Sequence, residues 1–98
     1  MSRPLVFHPA VRDEVDDAYR WYEQRRAGLG DDFLAAIEEV FQRLRATPEV
    51  HQVIYRDARR ALPRRFPYSI IYRIHADRVE VLAVHHSRRD PAIWQARV

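Results

Sequence analysis

The chain has no cysteine, no lysine, two glycines, one threonine and one methionine. Without cysteine there is no disulfide framework and no thiolate metal site, which suits a reducing cytoplasm. No apolar run approaches the roughly 18 residues of a membrane span, and the first residues lack the apolar core of a signal peptide. The expectation is a soluble, cytoplasmic protein without membrane contact. The single threonine, the scattered serines and the lack of a glycine-rich loop leave no nucleophile–base triad and no phosphate cradle. His8, His51, His75, His85 and His86 show no metal-ligand spacing, so neither a metal nor another cofactor is expected.

What is present is a core-forming chain of 98 residues, 47% apolar, read as one domain spanning residues 1–98. Its net charge of +3 hides a division. Residues 1–50 carry 7 arginines against 10 acids, and residues 51–98 carry 10 against 4. A molecule polarised in this way can turn its basic half toward an anionic partner. Because every basic residue is arginine, each guanidinium marks function less sharply than it would in a mixed sequence.

Hydrophobic spacing divides the chain into elements. "PLVF" (4–7) reads as a first strand, and Pro9 suits the first turn of a helix, where its missing N–H costs nothing. Val11, Val15, Ala18 and Tyr22 form one helical stripe, and the acids Asp13, Glu14, Asp16 and Asp17 read as its solvated face. "AGLGDDF" (27–33) holds both glycines; it closes this helix and opens a second, with Asp31 or Asp32 as N-cap. Phe33 or Leu34, then Ile37, Val40 or Phe41, and Leu44 continue as a second stripe that Thr47-Pro48 stops, so the two helices form an antiparallel hairpin.

After residue 51 the period changes to that of strands. "QVIYRD" is extended, and Arg59–Phe66 reads as a strand that Pro63 confines to an edge or a bulge. Residues 68–75 and 79–85 are clearer strands joined by a turn at Ala76-Asp77. Asp90 and Pro91 open a short last helix. The fold class is therefore α+β in the order β-α-α-β-β-β(-α), with a helical hairpin on one face of an antiparallel sheet. Phe33, Ile37, Phe66, Ile71 and Leu82 are expected in the core.

With the helices on one face, the other is expected to be open. Arg64, Arg65, Arg73, His86, Arg88 and Arg89 would gather on it or at its rim, where forked guanidiniums meet phosphate oxygens in pairs. Tyr68, Tyr72 and Trp94 are candidate rings for base stacking, although Tyr72 alternates with core positions. In "HHSRRD" two cations follow the histidines and should lower a histidine pKa from about 6.5, which favours the neutral, base-competent form. Neighbouring strand residues point to opposite faces, so only one of His85 and His86 can serve such a site.

In order along the chain, "WYEQRRAGLGDDFLAAIEEVFQRLRATPEV", "RRFPYSIIYRI" and "VEVLAVHHSRRDPAIW" resemble the RelE/ParE superfamily of bacterial type II toxins, in particular the ParE-like branch of plasmid-stabilisation toxins. The resemblance implies a toxin neutralised by a cognate antitoxin that wraps it, forming a hetero-oligomer. ParE-like members poison DNA gyrase; RelE-like members cleave mRNA on the ribosome without metal. In the first case Arg59, Arg60, Arg64, Arg65, Arg88, Arg89 and Trp94 would bind target or antitoxin. In the second, His86 would act as base with Arg65, Arg73 and Arg89 on the phosphate. The lysines of the RelE-type site are missing, and no tyrosine follows Val81. The basic half also leads us to expect an acidic, partly disordered antitoxin. A third possibility is a non-toxic module that only pairs with an antitoxin.

Overall fold

The computed structural model describes residues 3–98. The chain runs β1 (Leu5–Phe7), α1 (Ala10–Arg25), α2 (Leu29–Ala46), a 3-10 turn (Pro48–Val50), β2 (Gln52–Tyr55), β3 (Ala58–Ala61), β4 (Tyr68–Ile74), β5 (Val79–His86) and α3 (Ala92–Gln95). The fold class is the expected α+β, with α1 and α2 as a hairpin against one sheet face. One detail of the sheet differs from expectation: it is mixed rather than antiparallel. Its order is β1-β5-β4-β3-β2, and β1 pairs in parallel with β5, Leu5 opposite Val79 and Phe7 opposite Val81. The long α1–α2 excursion between β1 and the remaining strands permits this, since parallel neighbours need a crossover.

The hairpin follows the sequence periodicity. Val11, Ala18 and Tyr22 of α1 are buried against Phe33, Ala36, Ile37, Val40 and Leu44 of α2, with Val15 packed beside them. Each stripe is apolar at helical spacing, and burial of that stripe, more than intrinsic propensity, stabilises such helices. The connection is tighter than the sequence suggests. Gly28 takes a left-handed conformation (φ 89°) and serves as N-cap, so α2 begins at Leu29, and Asp31 and Asp32 lie in its first turn instead of capping it. A free N–H at the start of α2 finds its partner across the hairpin: Glu23 Oε1 accepts from Gly30 N–H at 2.8 Å. Gly30 is buried inside α2, where an added Cβ would stand 2.6 Å from Glu23 Cγ and 2.8 Å from the Tyr19 ring. Its lack of a side chain sets how closely the helices approach.

Strand β3 ends at Ala61, well short of the expected Phe66. It lies inside the sheet between β2 and β4, where a proline would remove a ladder bond whichever neighbour its nitrogen faced, so the chain leaves the sheet before Leu62-Pro63. Phe66 nonetheless returns to the core, 8% exposed, with its ring edge-on to both Tyr22 and Phe33.

The β4–β5 ladder contains a bulge. Tyr72 lies opposite Val81 and Ile71 opposite Ala83, leaving Leu82 as an extra residue in β5. Before it Val79 and Val81 face the helices; after it Val84 does, while Leu82 and Ala83 turn to the second face. That second face is not open as expected. Ala58, Ile71, Leu82 and Ala83 form a separate small core under Trp94, flanked by Ile54, Tyr55 and Val98. The residues expected in the core, Phe33, Ile37, Phe66, Ile71 and Leu82, are all buried, but they divide between the two faces.

Two outcomes follow. Gly30→Ala should lower stability by about 1–3 kcal/mol in denaturant titration, since overpacking between helices outweighs the ~1 kcal/mol gain in helix propensity. Tyr72 is fully buried with its hydroxyl donating to Pro48 C=O, and burial pushes its pKa up to about 12. Its folded pKa lies above the unfolded value, so its contribution is complete below about pH 10 and is lost as pH rises through about 12. Alkaline melts should show this decline, and Tyr72→Phe should flatten it.

Candidate functional site

The arginines singled out in the sequence are dispersed by the fold, and Arg59, Arg64, Arg65 and Arg73 each turn to a local partner. Arg64 and Arg65 sit in the irregular segment between β3 and β4, which lies along α2. Arg64 pairs with Glu39, and Arg65 approaches Asp32 at 3.6 Å with its guanidinium near the Phe66 ring. Arg65 holds φ at 71°, a strained conformation for a residue with a Cβ. Arg59 faces the helix side, where it donates to the carbonyls of Glu49 (2.9 Å) and His51 (2.8 Å). Arg60 is exposed on the second face, opposite Ile71. Arg73, also on that face, donates to Asp57 at 2.8 Å. The expected gathering on one open face does not occur. Alternation and a covered second face send these side chains in several directions. Trp94, proposed for the binding surface, is 5% exposed and edge-on to Tyr55; here it builds the second core.

The "HHSRRD" stretch folds into a hydrogen-bonded turn. His85 Nε2 donates to Arg89 C=O at 3.1 Å, Arg88 N–H donates to His86 Nδ1 at 3.0 Å, and Arg89 N–H donates to His86 C=O at 3.1 Å. Asp90 Oδ1 accepts from Ala92 N–H, which opens α3 as expected. The bulge decides the histidines. His86 lies opposite Tyr68 on the helix side, rings edge-on at 5.0 Å, while buried His85 turns to the second face. The His86 imidazole is held below its ordinary pKa, first by burial and then by Arg88, His85 and Arg89. Of the sequence-selected set, His86 and Arg89 come together, beside Tyr68. Arg65 and Arg73 do not join them.

They meet at a groove of about 730 Å³ between α1, the outer edge of β5 and α3. It exists because β1 is short: beyond Phe7 the chain turns away into α1, and β5 continues to His86 without a neighbour on that side. Two side chains cover part of the bare edge. Glu14 Oε1 accepts from Val84 N–H at 3.0 Å, and Arg97 donates to Leu82 C=O at 2.9 Å. The two side chains also pair with each other at 2.9 Å and are 18% and 14% exposed. Glu14 thus departs from the solvated face to which its helix neighbours belong. The sequence signal for it was its position, between Val11 and Ala18 on the buried side of α1; Arg97 carries no comparable signal. Among the described residues, no group of three or more His, Cys, Asp or Glu is arranged to hold a metal ion. No helix among them is long and apolar enough to cross a membrane.

A helical hairpin packed on a small sheet, with arginines around its rim and an edge groove beside its last strand, defines a protein of the RelE/ParE superfamily type. The chain belongs to the ParE toxin family: the family model described as ParE toxin of the type II toxin–antitoxin system, parDE, matches residues 5–91. It is similar to Toxin ParE2 of Mycobacterium tuberculosis, from strains CDC 1551 / Oshkosh and ATCC 25618 / H37Rv. Each is 24% identical over 99 residues, covering all of this chain and 94% of the relative. A solved chain described as the chromosomal ParDE TA system from P. aeruginosa superposes with a TM-score of 0.77 over 87% of this chain and 96% of its own, at 15% identity; it supports the fold. The protein is accordingly the toxin component of a type II system, and the family pairs it with an antitoxin.

Glu14→Ala should cost about 1.5–3 kcal/mol, the range for hydrogen bonds to charged groups, because it strands both the Val84 N–H and the Arg97 guanidinium. Thermal melts check this, and Asp16→Ala, on the same helix without those bonds, should stay within about 0.5 kcal/mol of wild type.

Proposed function

We propose that this toxin arrests growth by binding DNA gyrase through its surface, in the cytoplasm, and that the cognate antitoxin, acidic and partly disordered, neutralises it in a hetero-oligomer. One observation carries the non-catalytic reading. RNA cleavage would need His86, Arg65, Arg73 and Arg89 around one phosphate, but His86 faces the helix side, Arg73 the second face bound to Asp57, and Arg65 reaches Asp32 on α2. Preorganised donors aimed at one developing charge supply the largest share of such catalysis, and here they point apart. What supports macromolecular binding is a rim of exposed guanidiniums, Arg60, Arg64, Arg65, Arg88 and Arg89. These can steer an anionic partner or a gyrase–DNA complex.

The endoribonuclease reading keeps one specific point in its favour: the His86 imidazole is held below its ordinary pKa, is partly buried and lies beside Arg89. Purified toxin should inhibit gyrase supercoiling in a dose-dependent way, while translated mRNA stays intact. Unchanged supercoiling across a wide concentration range would sink the gyrase proposal. Primer extension showing A-site cuts that vanish in His86→Ala would establish the enzyme instead. Undisturbed growth on induction without the antitoxin would leave only the non-toxic binding module.

A further inference from the structure

The sheet ends in two outer strands, and β1 leaves its outer side bare. Val79 N–H donates to Pro4 C=O at 2.9 Å, and His8 N–H donates to Val81 C=O at 2.8 Å. In a parallel ladder the bonds to a neighbour come from alternate residues of the strand, so Val6 supplies the two bonds between these ends. Leu5 and Phe7 therefore direct their N–H and C=O groups away from β5. Among the described residues, none of these four groups receives a partner from a turn, a loop or another strand. Such an edge is a template for pairing with another chain.

Its side chains are apolar and only partly covered. Phe7 is 45% exposed, its ring edge-on to Phe41 of α2 at 5.2 Å, and partly buried Leu5 packs on the same, helix-bearing face. Val6 alternates to the other face and is 38% exposed. Beside Phe7 lies a hollow of about 440 Å³, with Arg12 and Asp16 of α1 on its rim. The ion pairs of α1, Arg20–Asp17 and Glu14–Arg97, leave these two without such a partner among the described residues.

We propose that the toxin self-associates through β1, two copies joining their sheets edge to edge. A two-fold axis through Val6 sets Leu5 opposite Phe7 of the second copy, in an antiparallel pair that exchanges both bonds. The two such pairs use all four free groups of each strand. Both hairpins then lie on one face of a continuous sheet, where Leu5 and Phe7 meet across the seam, and Val6 meets Val6 behind it. The same symmetry turns Arg12 toward Asp16 of the second copy, so the rim complements its own image. A charged peptide segment fits less well, because one cation and one anion favour neither sign and the edge is only three residues long. The contact uses neither the groove beside β5 nor the rim arginines, so it stands apart from the gyrase reading.

Sedimentation equilibrium of the free toxin tests this. The wild type should pass from monomer to dimer as its concentration rises, and amide exchange at Leu5 and Phe7 should slow at least threefold over the same range. Val6→Lys sets two cations opposite each other on the axis and should raise the dimer dissociation constant at least tenfold, with unchanged circular dichroism and melting temperature. Val53→Lys, on the opposite outer strand β2, should leave that constant within twofold of wild type. Asp16→Arg should weaken the dimer at least threefold, and Arg12→Asp/Asp16→Arg should restore it. A wild type that stays monomeric up to its solubility limit would overturn the inference, as would a dimer that survives Val6→Lys or is lost in Val53→Lys instead. A double variant no tighter than Asp16→Arg would overturn the two-fold arrangement. Supercoiling inhibition is read separately, so the gyrase proposal and the dimer fail independently.

Discussion

Leu82 is one residue more than β4 can pair, and much of the molecule is arranged around that surplus. With Tyr72 opposite Val81 and Ile71 opposite Ala83, the extra residue shifts the alternation of β5 by one step. Val79 and Val81 meet the helices before it, Val84 and His86 after it. Leu82 and Ala83 together supply the second face with enough apolar surface to hold Trp94 and the end of the chain. Removing the surplus would invert everything beyond it: His85 would face the helices, and Val84 would face away from them.

The consequence for function is that one histidine, not two, stands in the groove, and that the C-terminal segment is part of the fold. α3 is a single turn held by the Asp90 cap, by Trp94 in the second core and by Arg97 on Glu14 and Leu82 C=O. A segment this short gains little from its own backbone bonds. Its placement depends on apolar burial on one side and a half-buried ion pair on the other. The same ion pair ties α1 to β5 where β1 has ended, so the helical hairpin and the sheet are joined along an edge that would otherwise be bare.

Charge is used locally before it is used globally. The acid-rich N-terminal half and arginine-rich C-terminal half meet in pairs such as Arg64–Glu39 and Arg65–Asp32. Exposed pairs of this kind contribute little to stability, with a typical range of about 0–1 kcal/mol. They do orient guanidiniums that would otherwise sweep freely, and they leave Arg60, Arg88 and Arg89 on the surface. The field that another macromolecule meets is the residue of this internal pairing, distributed around the rim and not focused on a single phosphate-sized point.

Periodicity in the sequence was sufficient for the two helices, their antiparallel turn, the strands β4 and β5, and the buried identities of Phe33, Ile37, Phe66, Ile71 and Leu82, while the resemblance of its ordered motifs pointed to the family. Each of these rests on spacing along one element or on ordered motifs, which the linear chain carries. The parallel seat of β1, the bulge at Leu82, the closure of the second face by Trp94 and the Glu14–Arg97 cover of β5 were decided only in three dimensions. All four depend on which segments become neighbours across long stretches of sequence, and a hydrophobic pattern records that a face is buried without recording what buries it. For the same reason the arginines could be counted but not aimed: a long, flexible side chain takes its direction from the partner it finds.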